Sequence, residues 1–232
     1  MNILGIIPAR GGSKAVRGKN IKLLAGKPLL QYTVDVAKAS KHLSKLILSS
    51  DDDAIINVAN QLNLEVPYKR PSGLAQDNSP TLPVIQHALN FYRNQGINFD
   101  AVCLLQVTSP FKTTKFIDNA IEIFIKSKAD ALVSVKKVPD EYNPHWTFKV
   151  NKNDCLELLT GEEKIIGRRQ DLPKAYHRDG IIYLTKTNVL LEQNSLYGDT
   201  LAYIESPSNV NVNIDTMDDW KKAEDYLKNN PL

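Results

Sequence analysis

Ile3-Leu4-Gly5-Ile6-Ile7-Pro8-Ala9-Arg10-Gly11-Gly12-Ser13-Lys14 is a near-continuous apolar run that ends at a proline and opens into a basic, glycine-containing loop. An apolar run this short suits a strand buried on both faces, as in a parallel sheet. The paired Gly11 and Gly12 let the backbone approach a ligand and present amide N–H groups to it. Arg17-Gly18-Lys19-Asn20 follows, so Arg10, Lys14, Arg17 and Lys19 place four cations on one strand-to-helix loop. A solvated basic loop accounts for a single lysine beside two glycines. Four mutually repelling cations directly after a buried strand point instead to a polyphosphate. The Gly-x-x-x-x-Gly-Lys-[Ser/Thr] pattern is not met, which excludes a P-loop kinase.

Outward from this stretch, apolar runs alternate with helical periodicity. Leu46-Ile47-Leu48, Ala101 to Leu105, Ala131 to Val135 and Gly180 to Leu184 read as strands. Helices are expected from Pro28 to about Ala39, from Asp51 to Leu62, around Val84 to Phe91, around Phe116 to Ile125, and from Thr216 to the end. This alternation predicts an α/β fold: a single Rossmann-like, mostly parallel sheet with helices on both faces. Ligands of such sheets bind beyond the carboxyl ends of the strands, which selects the loops 8–20, 49–53 and 106–112. The pattern weakens between Pro139 and Tyr176, where Pro139, Pro144 and Pro173 punctuate a segment carrying Lys164, Arg168 and Arg169. We read one domain over residues 1–232 with a small insertion at 139–178, suited to packing on a second subunit.

Composition narrows the class. With 232 residues and 42% hydrophobic residues, the chain has material for a full core. The net charge of +3, from 29 basic and 26 acidic residues, is spread along the chain and argues against a nucleic-acid partner. No apolar stretch is long enough to span a membrane, and no basic segment precedes the first one. Cys103 and Cys155 lie far apart and form no disulfide framework, so a cytoplasmic enzyme is expected.

The opening block, with Gly26-Lys27-Pro28-Leu29 after it, resembles the signature of acylneuraminate cytidylyltransferases. Further blocks agree in order. They are Val66-Pro67-Tyr68-Lys69-Arg70-Pro71 with Leu74-Ala75-Gln76-Asp77, Leu104-Leu105-Gln106-Val107-Thr108-Ser109-Pro110, Arg169-Gln170-Asp171-Leu172-Pro173 with Gly180 to Tyr183, and Asn213-Ile214-Asp215-Thr216. The resemblance implies transfer of CMP from CTP to the anomeric hydroxyl of an acidic nine-carbon sugar, with release of pyrophosphate.

It also implies roles. Arg10, Lys19 and Asp215 carry catalysis. Ala9, Arg10, Gly11, Gly12, Ser13, Lys19, Asn20, Arg70, Asp77 and Thr81 bind the nucleotide. Gln106, Thr108, Ser109, Arg169, Tyr176 and Asp179 bind the sugar. Asp215 and Asn213 hold Mg²⁺, which favours a few carboxylates with phosphate oxygens and water. A homodimer is expected, in which an arginine equivalent to Arg169 can come from the partner subunit. Asn213 stands where the family carries an acid, and Asp51 or Asp52 are candidates to compensate. Ala15 and Arg17 replace the usual Gly and Pro, and Asp179 replaces an Asn. The alternatives are a cytidylyltransferase for the eight-carbon sugar 3-deoxy-manno-octulosonate, a non-catalytic nucleotide-binding homologue, and a glycosyltransferase, for which Ser49 to Asp53 offers only a loose Asp-x-Asp.

Overall fold

In the computed structural model, which describes residues 1–207 and 212–230, the chain divides into two compact units. The first is Met1–Ser134 with Gly180–Leu232, and the second is Val135–Asp179. In chain order the elements are β1 (Ile3–Pro8), β2 (Leu23–Leu24), β3 (Lys27–Pro28), α1 (Leu29–Lys38), β4 (Lys45–Ser49), α2 (Asp53–Gln61), α3 (Thr81–Arg93), β5 (Ala101–Leu105), α4 (Thr114–Ser127), β6 (Ala131–Lys137), β7 (Phe148–Val150), β8 (Leu156–Leu158), β9 (Tyr176–Lys186), α5 (Thr187–Leu191), β10 (Leu201–Glu205) and α6 (Met217–Asn229).

A six-stranded sheet runs β10-β6-β9-β5-β1-β4. The opening apolar run is β1, which lies between β4 and β5 and is parallel to both. Ile3, Leu4, Ile6 and Ile7 are fully buried, because a strand covered on both faces has no side to spare for a polar residue. Gly5 has no room for a side chain: an added Cβ would lie 2.7 Å from Leu46 Cδ1. β9 pairs antiparallel with β5, a direction that the apolar run Gly180 to Leu184 did not disclose.

The helices begin where side chains satisfy free backbone N–H groups. Asp52 accepts from Ile55 N (3.0 Å) at the start of α2, and Thr113 accepts from Phe116 N (3.1 Å) at the start of α4. The start expected at Asp51 therefore moves to Asp53, because Asp52 acts as the cap. Pro28 likewise precedes α1 rather than beginning it. At α6, Thr216 and Asp219 form a reciprocal capping box. Asp215 is thus not the cap of the last helix. The core joins β1, β5 and β9 to α1, α4 and α6, with Leu30, Ile117, Ile121, Phe124 and Trp220 buried in it.

In the second unit, β7 and β8 form a hairpin that pairs Phe148 with Leu158 and Val150 with Leu156. Trp146 Nε1 donates to Ile166 O (2.6 Å) and Asn143 Nδ2 to Pro173 O (2.9 Å), which ties this proline-rich segment together beyond its two-stranded hairpin.

Candidate active site

A cleft opens beyond the carboxyl ends of β1 and β5, where a parallel sheet places its ligands. Arg10, Ser13, Lys19, Asn20, Arg70, Thr81, Gln106 and Thr108 all line it. Residues that lie up to about a hundred positions apart in the chain thus meet at one surface.

Each is held by its element. β1 ends at Pro8, and Ala9 N donates to Ser49 O (3.0 Å), so the start of the basic loop is pinned to β4. Asn20 is buried and its Nδ2 donates to Arg10 O (2.9 Å), closing the loop on itself. Gly11 is placed by close approach: an added Cβ would collide with the Asp52 carboxylate. Its N–H donates to Asp51 Oδ1 (3.2 Å), and Ser13 N donates to Gly11 O (3.0 Å). Those two amides were expected to face phosphate and here have partners within the chain. Gly12 has open space around it.

Arg70 is 5% exposed, and its Nε donates to Ser49 Oγ (3.0 Å) while its second nitrogen contacts Ser49 O. Burial lowers its pKa from the ordinary arginine value, and Asp51 opposes that shift. A buried guanidinium beside a carboxylate and at the wall of a cleft is preorganised for an anion. Thr81 opens α3 at the same wall.

Lys19 Nζ donates to Ile214 O (2.8 Å) and lies 3.4 Å from Asp215 Oδ1. Asn213 Nδ2 donates to the other Asp215 oxygen (2.5 Å), and Ser109 Oγ donates to Asn213 Oδ1 (3.4 Å). The 213–215 segment is therefore held between the basic loop and the loop after β5. Asp77, expected to bind the nucleotide, is paired here with cations of the basic loop. Its carboxylate takes Arg10 Nη1 (2.9 Å) and the Lys14 ammonium, and these cations, Lys14 first, hold its pKa below the usual carboxylate range.

Arg169, Tyr176 and Asp179 lie in the second unit. There Arg169 Nε donates to Asp140 Oδ2 (2.5 Å), and Arg168 pairs with Asp171 (2.7 Å). The basic group expected at 164–169 is thus largely neutralised by neighbouring acids. Sequence reading named Asp51 only as an acid that could compensate for Asn213, whereas here it accepts from Gly11 N. It missed Lys112, buried beneath the loop that follows β5. No local pattern marks Lys112 as a buried group.

The comparisons with known proteins agree over nearly the whole chain. The cytidylyltransferase family model matches residues 4–229. A pseudaminic acid cytidylyltransferase of Campylobacter jejuni (serotype O:23/36) is 33% identical over 99% of this chain and 98% of its own. A CMP-N,N'-diacetyllegionaminic acid synthase of Legionella pneumophila is 32% identical over 99% and 98%. N-acylneuraminate cytidylyltransferase A of Danio rerio is 32% identical over 96% of this chain and 50% of its own. Among solved structures, a CMP:2-keto-3-deoxy-manno-octonic acid synthetase complexed with CTP superposes with a TM-score of 0.73 at 15% identity, covering 99% of both chains. That likeness is one of fold. The family match over residues 4–229, with the Campylobacter and Legionella relatives aligned over nearly their full lengths, places the chain and its basic cleft in the cytidylyltransferase family of nucleotidyltransferase enzymes.

Proposed function

We propose that this enzyme transfers CMP from CTP to the anomeric hydroxyl of a nonulosonic acid, an acidic nine-carbon sugar, and releases pyrophosphate. The observation that carries the reading is the convergence of Arg10, Lys19, Asn20 and Arg70 on one cleft, which suits a triphosphate. The names of the pseudaminic and legionaminic relatives, aligned over 98% of their lengths, support the sugar class. The octulosonate reading has only a likeness of fold behind it.

The bond from the anomeric oxygen to the α-phosphorus forms as that phosphorus parts from the bridging oxygen of pyrophosphate. Such chemistry depends on positioning and on fixed charge where charge develops. Arg10 suits two-point contact with phosphate oxygens, and Lys19 acts as a point charge beside the 213–215 segment. Asn20, Arg70 and Thr81, with Ala9 to Ser13, form the nucleotide cradle. Gln106, Thr108 and Ser109 form the sugar side of this cleft; Arg169, Tyr176 and Asp179, in the Val135–Asp179 unit, are sugar contacts on the family resemblance alone. A sugar carboxylate reaching Arg169 must compete with Asp140.

For Mg²⁺ the Asp215 carboxylate, 62% exposed, is the fitting donor; the Asn213 amide nitrogen donates to it while the amide oxygen takes Ser109 Oγ, so Asn213 would have to turn its amide to offer that oxygen to the ion. Among the described residues no cluster of three acidic, His or Cys side chains could hold a metal without substrate, and Mg²⁺ favours a site completed by phosphate oxygens and water. When bound, the ion would offset phosphate charge and make the sugar hydroxyl more acidic.

The Val135–Asp179 unit, which includes the expected 139–178 insertion, supplies the contact of a homodimer. Two unpaired cysteines suit a reducing, cytosolic compartment, and among the described residues no helix is long and apolar enough to cross a membrane.

The test is pyrophosphate release with CTP, with and without Mg²⁺, against N-acetylneuraminate, legionaminate, pseudaminate and 3-deoxy-manno-octulosonate. Metal-dependent release with a nine-carbon sugar is expected. Release with the octulosonate alone overturns the sugar class, and CTP binding with no release from any of these sugars overturns the activity.

A further inference from the structure

Lys112 lies between the Thr108-Ser109-Pro110 turn and Thr113, the cap of α4, and the reaction above does not use it. It is 2% exposed. Lysine is almost never fully buried unless it is paired. Among the described residues no carboxylate reaches this one. Its Nζ donates instead to Gln106 O (2.8 Å), Thr33 Oγ1 (3.0 Å) and Ser109 O. Three acceptors match the three N–H groups of an ammonium. Burial pushes its pKa down to about 7, and the three acceptors favour the charged form.

The two carbonyls belong to the loop that leaves β5, and Thr33 belongs to α1. One ammonium therefore closes the 106–112 loop on itself and fastens it to a core helix. The same loop holds other parts of the site. Thr108 O accepts from Ile214 N (2.8 Å), Ser109 Oγ reaches Asn213, and Thr108 Oγ1 donates to Gln106 Oε1 (3.4 Å). Gln106 and Thr108 face the cleft.

We propose that Lys112 is a positioning residue that fixes the Gln106–Ser109 loop, and through it the Asn213–Asp215 segment, opposite the nucleotide cradle. The inference rests on the reading of this cleft as the CMP-transfer site. Neutral hydrogen bonds tolerate displacement better than charge-assisted ones, and small misplacements at a reacting centre lower rates steeply. A polar lysine spent on backbone carbonyls beneath the sugar side fits that need. A residue kept only for packing would be apolar.

The experiment compares wild type with Lys112→Met, which keeps the stem and removes the ammonium, and with Lys112→Arg. Amide hydrogen exchange needs no turnover. Exchange at 106–112 and 213–215 should accelerate at least about tenfold in the Met variant, with β1 and β4 unchanged. In kinetics, KM for the sugar should rise and kcat should fall, while the Kd for CTP changes by a smaller factor than the KM for the sugar, since Arg10, Asn20 and Arg70 do not use this loop. Lys112→Arg should recover part of the kcat. If the Met variant does not fold, Thr33→Val removes one acceptor and should accelerate the same amides by a smaller factor. Unchanged exchange at 106–112 in a folded variant overturns the proposal, as does equal loss of CTP and sugar binding or acceleration spread over the whole sheet. If wild type transfers CMP to no sugar, the reading of the site fails, and the exchange data still decide the role of Lys112.

Discussion

At the scale of single residues the site is short of negative charge on one side and crowded with positive charge on the other. Asp215 is the single carboxylate of the 213–215 segment, with Asn213 donating to it and Lys19 beside it. Asn213→Asp should therefore lower the Mg²⁺ concentration for half-maximal activity several-fold, because a second carboxylate adds charge where an amide adds none. Asp215→Asn should reduce kcat by about a hundredfold or more. A magnesium titration of each variant checks both, and an unchanged titration in Asn213→Asp would remove this segment from metal binding. On the other side, Asp77 holds Arg10 and Lys14 where a triphosphate is proposed to go. A carboxylate repels phosphate, and exposed ion pairs are weak. Asp77→Asn should thus tighten CTP binding by roughly two- to fivefold in calorimetry, whereas weaker binding would mean that Asp77 serves the nucleotide directly. Arg10 and Lys19 were legible in the sequence because glycines and cations cluster there within twenty residues, whereas Asn20 was legible only through the family resemblance. Lys112 was not, because its acceptors are backbone carbonyls and a hydroxyl on another helix, and backbone carbonyls leave no signature in side-chain identity.

At the scale of elements, legibility followed length and period. β1, β4, β5 and β6 read as apolar runs, and α1, α3 and α4 as amphipathic stretches, because each buries most of its own apolar side chains. β10 was missed: its residues alternate between exposed and half-buried at the sheet's edge, so it shows no apolar run. α5 has only five residues, too few for a helical period to register. The last helix was signalled by Thr216 with Asp218 and Asp219, and its capping box has a measurable consequence. Thr216→Ala should destabilise the protein by about 1 kcal/mol in urea unfolding. Asp219 is held below the usual carboxylate range chiefly by the Thr216 hydroxyl. Its contribution is therefore present above the unfolded carboxylate pKa and is lost as pH falls through the folded one. The difference between wild type and Thr216→Ala should shrink in acid and stay constant from pH 6 to 8. An equal difference at all pH values would mean that the box does not hold Asp219 ionised.

At the scale of the whole molecule, β/α alternation disclosed the sheet, since a parallel sheet needs helices between its strands. Its lapse after Pro139 marked an insertion at 139–178, but it could not disclose the inner structure of the Val135–Asp179 unit, which has short strands, several 3₁₀ turns and side-chain ties in place of periodicity. The hairpin of that unit is two-faced. Phe148, Val150, Leu156 and Leu158 share one face, and the Lys149–Glu157 pair (3.0 Å) occupies the other. Leu158 is buried, but Val150 and Leu156 are each about two-thirds exposed and Phe148 is 42% exposed. Contiguous exposed apolar side chains of this kind are candidates for a contact surface. If a second copy covers it, light scattering of wild type should give twice the 26.0 kDa chain mass. Val150→Asp with Leu156→Asp should give a monomer whose sheet melts as before, because these side chains contribute nothing to the sheet core. The kinetic consequence separates two roles for the contact. If the partner supplies Arg169 to the sugar, the monomer should keep its affinity for CTP and lose affinity for the acidic sugar. If the monomer turns over sugar as the dimer does, the hairpin joins subunits without completing the site.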